Sequence, residues 1–404
     1  MDNKIVIIGG GHAGGMTAIH LRKNSFSGPI LIISDEIYLP YQRPALSKDF
    51  LSDETSEEQL YLKNLDYFKR NNINILLNTK VKKIDRHTKL ITTNDAKKIA
   101  YEKLVIATGS NIIKMNTNNS KIYYLRTIND SKKIKKCLSI YNSVAIIGAG
   151  YIGLEVACAA SKKSLEVNVL EMGSRVMERS CSKAISGFFL SLHKKHHVTF
   201  NFNTTVKNIT HTDNSLIIHT NKKEPLAADC LVVGIGVRPN TKLALEAGLA
   251  CDNGITVDAF GYTSDKNIFA TGDCTSHPNS IFGKNLRLES VQNAVEQSKT
   301  IADMICGNNN PYKQVPWFWS DQYDARLQIA GIKDDFDRQV ILGSTEQSSF
   351  SVISLKENRV LCIESVNRPT DFIAGKKLIA AQTIIPRDIL KDSNEKLKKI
   401  AKTI

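Results

Sequence analysis

Residues 4–15 read KIVIIGGGHAGG, and the rest of the chain is best understood from this segment. A short apolar run, Ile5–Ile8, leads directly into glycines at positions 9, 11 and 14, the spacing of a strand that turns tightly into a helix. Gly9 permits the turn, Gly11 lets the backbone approach a pyrophosphate, and Gly14 lets the helix pack closely on its strand. The N-terminus of that helix would face the phosphates, so the segment predicts a dinucleotide site.

The second part of the pattern is an acid about 20 residues further on, where it can accept a hydrogen bond from a ribose hydroxyl. An apolar run at 30–33 leads into Asp35, which supplies that acid. The arrangement then occurs again, because residues 144–147 precede the glycines of GAGYIG at 148, 150 and 153, and residues 167–170 precede Glu171. One such motif is weak evidence, whereas two predict two dinucleotides. The alternative for each is a glycine-rich turn that binds no ligand.

The length of 404 residues predicts two or three domains, and a hydrophobic fraction of 42% is ample for buried cores. No apolar run reaches the ~18 residues that span a bilayer. The first apolar run ends at Gly9 without the features of a signal peptide. We therefore expect a cytoplasmic protein with no membrane segment.

The cysteines are scattered, and we interpret them as packing residues. They form no C-x-x-C pair, no wider pair like that of disulfide reductases, and no Cys/His spacing typical of zinc, so no metal site is predicted. A protein with two dinucleotides and no redox disulfide must deliver its electrons to something other than a thiol pair. The eight cysteines are at positions 137, 158, 181, 230, 251, 274, 306 and 362.

The formal net charge is +14, from 54 Lys and Arg against 40 Asp and Glu. Lysine clusters at 132–136, 194–195, 376–377 and 396–402 are interrupted by apolar residues. Two interpretations stay open, a basic docking surface and ordinary solvated helix faces. Nucleic-acid binding is less favoured, since no recognised binding motif accompanies the charge.

The loop YLPYQRPALSKDF follows the first acid. Its two prolines exclude regular helix, so we expect Arg43 on a rigid loop and Ser47 or Lys48 near the start of the next helix. A cation in such a loop suggests contact with the bound ligand, and the alternative is a surface turn. Short strands are then predicted at 73–77, 90–93 and 104–107, ending in ATGS, where Gly109 lets backbone lie against a cofactor.

At this point seven motifs carry a resemblance over essentially the whole chain: GGGHAGG, LPYQRPALSK, ATGS, GAGYIGLEVA, GIGVRPN, TGDC and PWFWSDQY. Their order resembles the FAD-dependent, NADH-using ferredoxin reductases of bacterial oxygenase systems, whose kin include putidaredoxin and rubredoxin reductases and apoptosis-inducing-factor-like flavoproteins. The resemblance implies an α/β fold of glutathione-reductase-like architecture, with two Rossmann-like domains and a C-terminal α+β domain. The implied boundaries are 1–112 and 242–312 for the FAD domain, 113–241 for the NAD domain and 313–404 for the C-terminal reductase domain.

The chain departs from the family pattern at two places. Ala45 stands where the family often has a second proline, which would loosen the loop that carries Lys48. The tail after Pro386 is short, which puts the closing helix of the last domain in doubt.

The resemblance also places individual residues. It implies that Asp35, Lys48, Val81, Arg126 and Asp273 hold FAD; Asp273 follows an apolar run, so its carboxylate can accept from a ribityl hydroxyl. Val291 would start a helix by the pyrimidine edge of the flavin, where helix N–H groups stabilise negative charge. With the motifs above, the predicted cofactor-binding residues are Gly9, Gly11, His12, Ala13, Gly14, Asp35, Arg43, Lys48, Val81, Ala107, Thr108, Gly109, Arg126, Gly148, Gly150, Tyr151, Ile152, Gly153, Glu155, Glu171, Gly236, Asp273, Glu289, Ser290, Val291 and Trp319.

The resemblance further implies a catalytic group of Lys48, Glu155, Tyr151 and Trp319. Lys48 and Glu155 would form an ion pair, and the alternative for Glu155 is a solvent-facing helix residue. Tyr151 would cover the flavin until nicotinamide displaces it, and the alternative is a packing tyrosine. Trp319 would lie between the flavin and a protein partner, and Lys299 would dock that partner, the alternative being a solvated helix lysine.

The C-terminal region opens with dense aromatic residues. Such aromatic density usually indicates a core, and this is one expectation for Trp317 and Phe318. Alternation at 350–355 and 360–363 predicts antiparallel strands.

The function implied is an NADH-dependent FAD reductase that passes electrons to an acidic [2Fe-2S] ferredoxin serving an oxygenase. The cofactors carry the chemistry, so no acid–base triad is needed. Neighbouring alternatives are a rubredoxin reductase and an NADH oxidase; another class is a flavin-bound interaction or nucleic-acid-binding protein. A monomer or weak dimer is expected. Glu171 predicts a preference for NADH over NADPH, although Arg175 lies close enough to blur it.

Overall fold

A computed structural model describes residues 3–117, 119–213, 215–385 and 394–402. The α-helices are α1 (His12–Lys23), α2 (Glu57–Leu60), α3 (Leu65–Arg70), α4 (Ile128–Ile140), α5 (Tyr151–Lys162), α6 (Lys183–Lys195), α7 (Lys242–Glu246), α8 (Val291–Ile305), α9 (Pro369–Ala380) and α10 (Asn394–Lys402). The chain divides into two compact units. The first holds Met1–Gln42, Glu57–Asn111 and Arg238–Phe318, and the second holds Arg43–Ser56, Ile112–Val237 and Trp319–Ile404.

The strands follow one another closely along the chain. They are β1 (Ile5–Ile8), β2 (Ile30–Ile33), β3 (Ile73–Leu76), β4 (Val81–Asp85), β5 (Leu90–Thr93), β6 (Lys98–Ala100), β7 (Lys103–Ile106), β8 (Ser110–Ile112), β9 (Ile122–Tyr124), β10 (Ser143–Ile147), β11 (Glu166–Leu170), β12 (Val198–Asn201), β13 (Val206–His211), β14 (Leu216–Thr220), β15 (Leu226–Ala228), β16 (Cys230–Val233), β17 (Val237–Pro239), β18 (Ile255–Thr256), β19 (Ile268–Ala270), β20 (Thr275–Asn279), β21 (Lys284–Leu286), β22 (Trp317–Gln322), β23 (Ala325–Gly331), β24 (Arg338–Ser344), β25 (Ser349–Lys356) and β26 (Arg359–Val366).

The first unit is built on a parallel sheet in the order β3-β2-β1-β7-β19. At the end of β1, Ile8 lies opposite Ile33 on one side and Ile106 on the other. All four residues of β1 are buried, as expected for a central strand with both faces covered. The strand order reverses at β1, and ligands of such sheets bind at the carboxyl ends of the strands at this point.

The second unit contains a parallel sheet in the order β12-β11-β10-β16-β9, and its strand order reverses at the central strand β10. Ile147 at the end of β10 lies opposite Leu170 of β11 and Val233 of β16. The same unit contains a second sheet in the order β22-β23-β26-β25-β24, against which α9 packs. On β22, Ser320 and Gln322 are buried while Trp319 is half-buried.

The predicted strands are present, and no boundary is shifted by more than three residues. The expectation for the proline loop was wrong: Ser47 and Lys48 do not begin a helix. A 3-10 helix spans Pro44–Ser47 and Lys48 follows its end. Proline is tolerated in the first turn of a helix, where its missing N–H needs no partner, so Pro44 starts this turn instead of delaying it.

Two expectations concern the end of the chain and its relation to membranes. A closing helix exists as α10, whereas residues 386–393, which include Pro386, lie outside the described residues. Within the ranges given above, no helix combines the length and apolar character needed to cross a bilayer.

Candidate functional site

The first glycine turn brings the end of β1 against the end of β7. Gly9 has φ +117°, and a Cβ built there would lie 2.2 Å from the carbonyl oxygen of Ala107. A Cβ at Gly14 would lie 2.0 Å from the carbonyl oxygen of Gly9, so only glycine allows the helix to approach the turn this closely. Helix α1 begins at His12 behind Gly11, and no side chain of a described residue caps it. Its first-turn N–H groups therefore suit an anionic ligand.

The second glycine turn has the same construction in the second unit. Gly148 has φ +100°, and a Cβ there would lie 2.4 Å from the carbonyl oxygen of Gly234. A Cβ at Gly153 would again lie 2.0 Å from the carbonyl oxygen of the turn, here that of Gly148. In the part of the chain that the structure describes, a Cβ at Gly150 would meet nothing within 4 Å. Both predicted strand–turn–helix units are therefore confirmed, and the second has space in front of its middle glycine.

Asp273 lies at the sheet edge beside the first turn. It is in a short 3-10 helix, Gly272–Cys274, directly after β19, which pairs with β7. Ser110 Oγ donates to Asp273 Oδ2 across 3.0 Å. A Cβ at Gly272 would lie 3.0 Å from the Cβ of Ala13 in the glycine turn. The structure thus brings the ATGDC turn and the first glycine turn together, because β19 and β1 run parallel on either side of β7 and end at the same edge of the sheet.

Helix α8 is tied to the same edge. Ser290 caps the helix by accepting from the N–H of Asn293 at 3.1 Å, and Val291 is its first residue. Further along the helix, the buried Gln297 accepts from the N–H of Gly272 at 2.7 Å. The start of α8, predicted to lie by the flavin, is therefore in the same unit as Asp273 and fixed to its turn.

The two predicted ribose acids differ in their surroundings. Asp35 follows β2 and is exposed. Glu171 follows β11 and is half-buried, with Oε2 accepting from the N–H of Ala149 and Oε1 from the N–H of Gly173, each at 2.6 Å. Glu171 therefore joins the end of its strand to the second glycine turn.

The 43–48 loop carries the predicted ion pair. Lys48 Nζ contacts Glu155 Oε1, and the two side chains are 9% and 6% exposed. The Ser47 hydroxyl donates to Glu155 Oε2. The alternative of a solvent-facing Glu155 is wrong, because its face of α5 is covered. Nearby in the same unit, Arg43 Nη1 donates to the carbonyl oxygen of Arg126 across 2.6 Å.

Tyr151 begins α5 and packs within the second unit. Its hydroxyl lies 3.2 Å from Cys181 Sγ. Burial raises the pKa of Tyr151 well above its ordinary value and raises the pKa of Cys181 to about 12, so both groups are neutral at physiological pH. The structure thus has Tyr151 in a packed position.

The other predicted residues of the first unit are spread over several elements. Thr108 Oγ1 donates to the carbonyl oxygen of Asn240 across 2.8 Å, and Gly109 has φ +63°. Val81 begins β4 and is buried. Glu289, predicted to bind the cofactor, pairs with Arg287. Lys299, predicted to dock the partner, is exposed on α8.

In the second unit, Ile152 is 43% exposed in the glycine turn, and Gly236 follows β16 with φ +109°. Trp319 of this unit is half-buried. Trp317 and Phe318, which belong to the first unit and for which a core place was one expectation, are also half-buried.

Three serines hydrogen-bond the predicted acids, a role that sequence reasoning missed. Ser47 and Ser320 donate to Glu155, and Ser110 donates to Asp273. All three stand inside motifs that carried the resemblance, so position within a motif was the available signal. The eight cysteines are free thiols, and no cluster of described residues could hold a metal ion.

Two family models match the chain. Residues 3–298 match the family model described as pyridine nucleotide-disulphide oxidoreductase. The chain belongs to the pyridine nucleotide-disulphide oxidoreductase family. Residues 317–401 match the model described as reductase C-terminal. This member of the pyridine nucleotide-disulphide oxidoreductase family is therefore an oxidoreductase, and the predicted resemblance and α/β fold class are confirmed.

Named relatives cover nearly the full length. The chain is 40% identical to rhodocoxin reductase of Rhodococcus erythropolis, over 98% of this chain and 93% of the relative. It is 38% identical to a rubredoxin-NAD(+) reductase of Pseudomonas putida, over 90% and 96% respectively. Among solved structures, a covalent putidaredoxin reductase–putidaredoxin complex matches with a TM-score of 0.95 at 34% identity, covering 99% of this chain and 98% of that one.

The residues present fit FAD, the cofactor of this oxidoreductase family. The first glycine turn offers N–H groups that no described side chain caps. At the neighbouring strand end, the hydroxyl of Thr271 is fully buried and has no hydrogen-bond partner among the described residues. A buried hydroxyl without a partner is costly unless a ligand or water satisfies it.

Proposed function

We propose that this chain is an NADH-dependent FAD flavoprotein that passes electrons to a [2Fe-2S] ferredoxin serving an oxygenase. The observation that carries the proposal is the pair of matching glycine turns, one in each unit, in a chain without a redox disulfide. One turn and its acid suit FAD, and the other suits NADH. When bound, FAD takes two electrons as hydride from NADH and can release them singly.

The proposed domains keep the boundaries that the sequence predicts. Residues 1–112 and 242–312 form the FAD domain, 113–241 the NAD domain, and 313–404 the C-terminal domain. The two parallel sheets support the first two assignments, and the antiparallel sheet that contains β23–β26 supports the third.

The chain's own residues hold and orient the cofactors. The α1 N–H groups behind Gly11 bind the FAD pyrophosphate, Asp35 binds its ribose and Asp273 its ribityl chain. Lys48 and Arg126 also bind FAD. Val81, Ala107–Gly109 and the start of α8 complete the site.

In the NAD site, the N–H groups behind Gly150 bind the pyrophosphate and Glu171 binds the adenosine ribose. Tyr151 and Glu155 lie on α5, which begins at this turn. The Tyr151 side chain is displaced when nicotinamide binds.

The electron acceptor is a small acidic iron–sulfur protein of the cytoplasm. The names of the relatives support it, since they include rhodocoxin and putidaredoxin reductases. The net charge of +14 favours such a partner electrostatically. Lys299 contacts it, Trp319 lies between it and the flavin, and the reductase acts as a monomer or weak dimer.

A rubredoxin is the second candidate acceptor, because a relative of 38% identity is a rubredoxin-NAD(+) reductase. Purified FAD-loaded protein should oxidise NADH slowly alone and rapidly with the true acceptor. Turnover is measured with a [2Fe-2S] ferredoxin, with a rubredoxin and with oxygen alone. Equal rates in all three would contradict an electron-transfer reductase and indicate an NADH oxidase.

A further inference from the structure

A chain of buried hydrogen bonds leads from the Glu155 carboxylate into the C-terminal sheet. Ser320 Oγ donates to Glu155 Oε1 across 2.5 Å, and Gln322 Nε2 donates to Ser320 Oγ across 3.0 Å. His193 Nε2 lies 2.8 Å from Gln322 Oε1. None of these four residues is more than 6% exposed, so bulk water cannot replace the partners.

The Glu155 carboxylate determines which group donates and which accepts in each hydrogen bond from Glu155 to His193. Glu155, as the partner of Lys48, can only accept, so the single Ser320 hydroxyl proton must point to it. The Ser320 oxygen is then an acceptor and must face the NH₂ group of Gln322, which turns the amide oxygen towards His193. An amide oxygen can only accept, so His193 must carry a proton on Nε2.

The hydrogen bonds on the other side of His193 do not determine which ring nitrogen carries the proton. His193 Nδ1 lies 3.3 Å from the Tyr323 hydroxyl, which lies 2.8 Å from Ser161 Oγ. These two hydroxyls can rotate to suit either histidine tautomer. Burial lowers the pKa of His193 to about 4, so the ring is neutral at physiological pH and carries one ring proton.

We infer that Ser320, Gln322 and His193 are positioning residues for the Lys48–Glu155 ion pair. They leave the carboxylate one orientation, with Oε1 shared by Lys48 and Ser320 and Oε2 taken by Ser47. The inference rests on the proposed function, in which Lys48 helps to hold FAD.

This series of hydrogen bonds joins three elements of the second unit. Glu155 comes from α5, His193 from α6, and Ser320 and Gln322 from β22. The consequence is that β22, which also carries Trp319, fixes the position of a cation on the 43–48 loop.

The protonated nitrogen of His193 provides a test that does not depend on turnover. In FAD-loaded protein with ¹⁵N-labelled histidine, the His193 signals are assigned by their loss in His193→Gln. We expect a proton on Nε2 and a bare Nδ1 at neutral pH. In Ser320→Ala the Gln322 amide loses its acceptor and can turn, so a population with the proton on Nδ1 should appear.

The kinetic test uses a matched pair of serines. Ser354 is as fully buried as Ser320 and also accepts from a glutamine, Gln339, across 2.9 Å, but it lies on β25 and does not contact Glu155. Ser320→Ala should slow reduction of bound FAD by NADH about tenfold or more, because Lys48 is displaced, while the KM for NADH stays unchanged. Ser354→Ala should match the wild type. Ser320→Thr keeps the hydroxyl and should restore most of the rate.

The outcomes separate this inference from the proposed function. A wild-type His193 proton on Nδ1 would overturn the inference even if both serine variants failed to fold. Equal FAD reduction rates in Ser320→Ala and Ser354→Ala would also overturn it. Wild-type protein that binds FAD but is not reduced by NADH would overturn the proposed function. The position of the His193 proton would still test the proposed series of hydrogen bonds.

Discussion

The guanidinium of Arg175 donates from Nη1 to the carbonyl oxygen of Cys181 across 2.9 Å. The same group also donates to Ser186 and, from Nη2, to the carbonyl oxygen of Glu178 at 2.8 Å. A guanidinium used in this way holds the loop before α6 and is not available to balance a 2′-phosphate. Arg175, which was expected to weaken the preference for NADH, therefore does not oppose Glu171, and we expect Glu171 to determine the preference.

We predict at least about tenfold higher kcat/KM for NADH than for NADPH, because one like-charge clash with Glu171 readily reaches ~1.4 kcal/mol. Glu171→Gln should reduce this ratio. Glu178→Gln, which changes the same charge on the neighbouring loop, should keep it. Steady-state kinetics with both cofactors provides the measurement, and equal efficiency in the wild type would refute the assignment.

Gly11→Val should cost most of the bound flavin, since the new side chain would occupy the place of the pyrophosphate. The FAD content is measured from absorbance per protein. Gly187→Val is the control, because a Cβ at Gly187 of α6 meets nothing within 4 Å among the described residues. Full FAD occupancy in Gly11→Val would rule out the first glycine turn as the FAD site.

Removing one partner of the buried ion pair should destabilise the fold strongly. Lys48→Met leaves the Glu155 carboxylate buried without its cation, and we expect a loss of about 3 kcal/mol in the free energy of unfolding. The double variant Lys48→Met with Glu155→Gln should lose less than the sum of the single changes. Lys356→Met, which breaks an exposed pair with Asp335, should leave Tm unchanged. Additive effects at Lys48 and Glu155 would mean that the pair is not coupled.

Stability should fall in mild acid because two histidines fold in the neutral form. Burial lowers the pKa values of His193 and His277 to about 4 from 6.5, so the unfolded chain binds more protons between these values. Each histidine's contribution to the free energy of unfolding is complete above pH 6.5 and is lost as the pH falls towards 4. About 2 kcal/mol per histidine is lost by pH 5.

The His277 contribution can be isolated, since neither of its ring nitrogens has a hydrogen-bond partner among the described residues. His277→Leu should therefore lose about 2 kcal/mol less than the wild type between pH 7.5 and pH 5, as measured by urea unfolding. His87→Leu, at an exposed position, should follow the wild type. A wild-type pH slope in His277→Leu would show that His277 is not buried as a neutral ring.

Lys299→Glu should slow ferredoxin reduction and flatten its salt dependence, because screening weakens steering beyond a Debye length of ~8 Å at physiological salt. Reduction of FAD by NADH should be unchanged. Lys242→Glu makes the same charge change on α7, where the side chain is 83% exposed, and should retain the wild-type salt slope. If Lys299→Glu also retains it, the docking surface lies elsewhere.

The sequence predicted the parts of this fold that depend on local pattern. Both glycine turns could be located because strand periodicity, glycine spacing and the following acid all lie within about 30 residues. The short 3-10 helix at Pro44 was missed because proline was taken as a barrier to helix and not as a favourable first residue.

Burial and long-range contacts were harder to predict. Glu155 lies on a helix whose buried face is set by neighbours distant in sequence, so spacing alone could not exclude a solvated position. Its contact with Ser320 joins residues 165 positions apart, and no local pattern encodes such a pair.

The alternation along β22 makes this strand intolerant of changes in length. Ser320 and Gln322 point to one side, and Trp319 points to the other, because successive side chains of a strand alternate. Inserting or deleting one residue would exchange the two sides at once. Attempts to adapt this reductase to a new electron acceptor should therefore substitute residues of β22 and leave its length unchanged, since a length change would disturb the ion pair together with Trp319, the residue proposed to lie beside the acceptor.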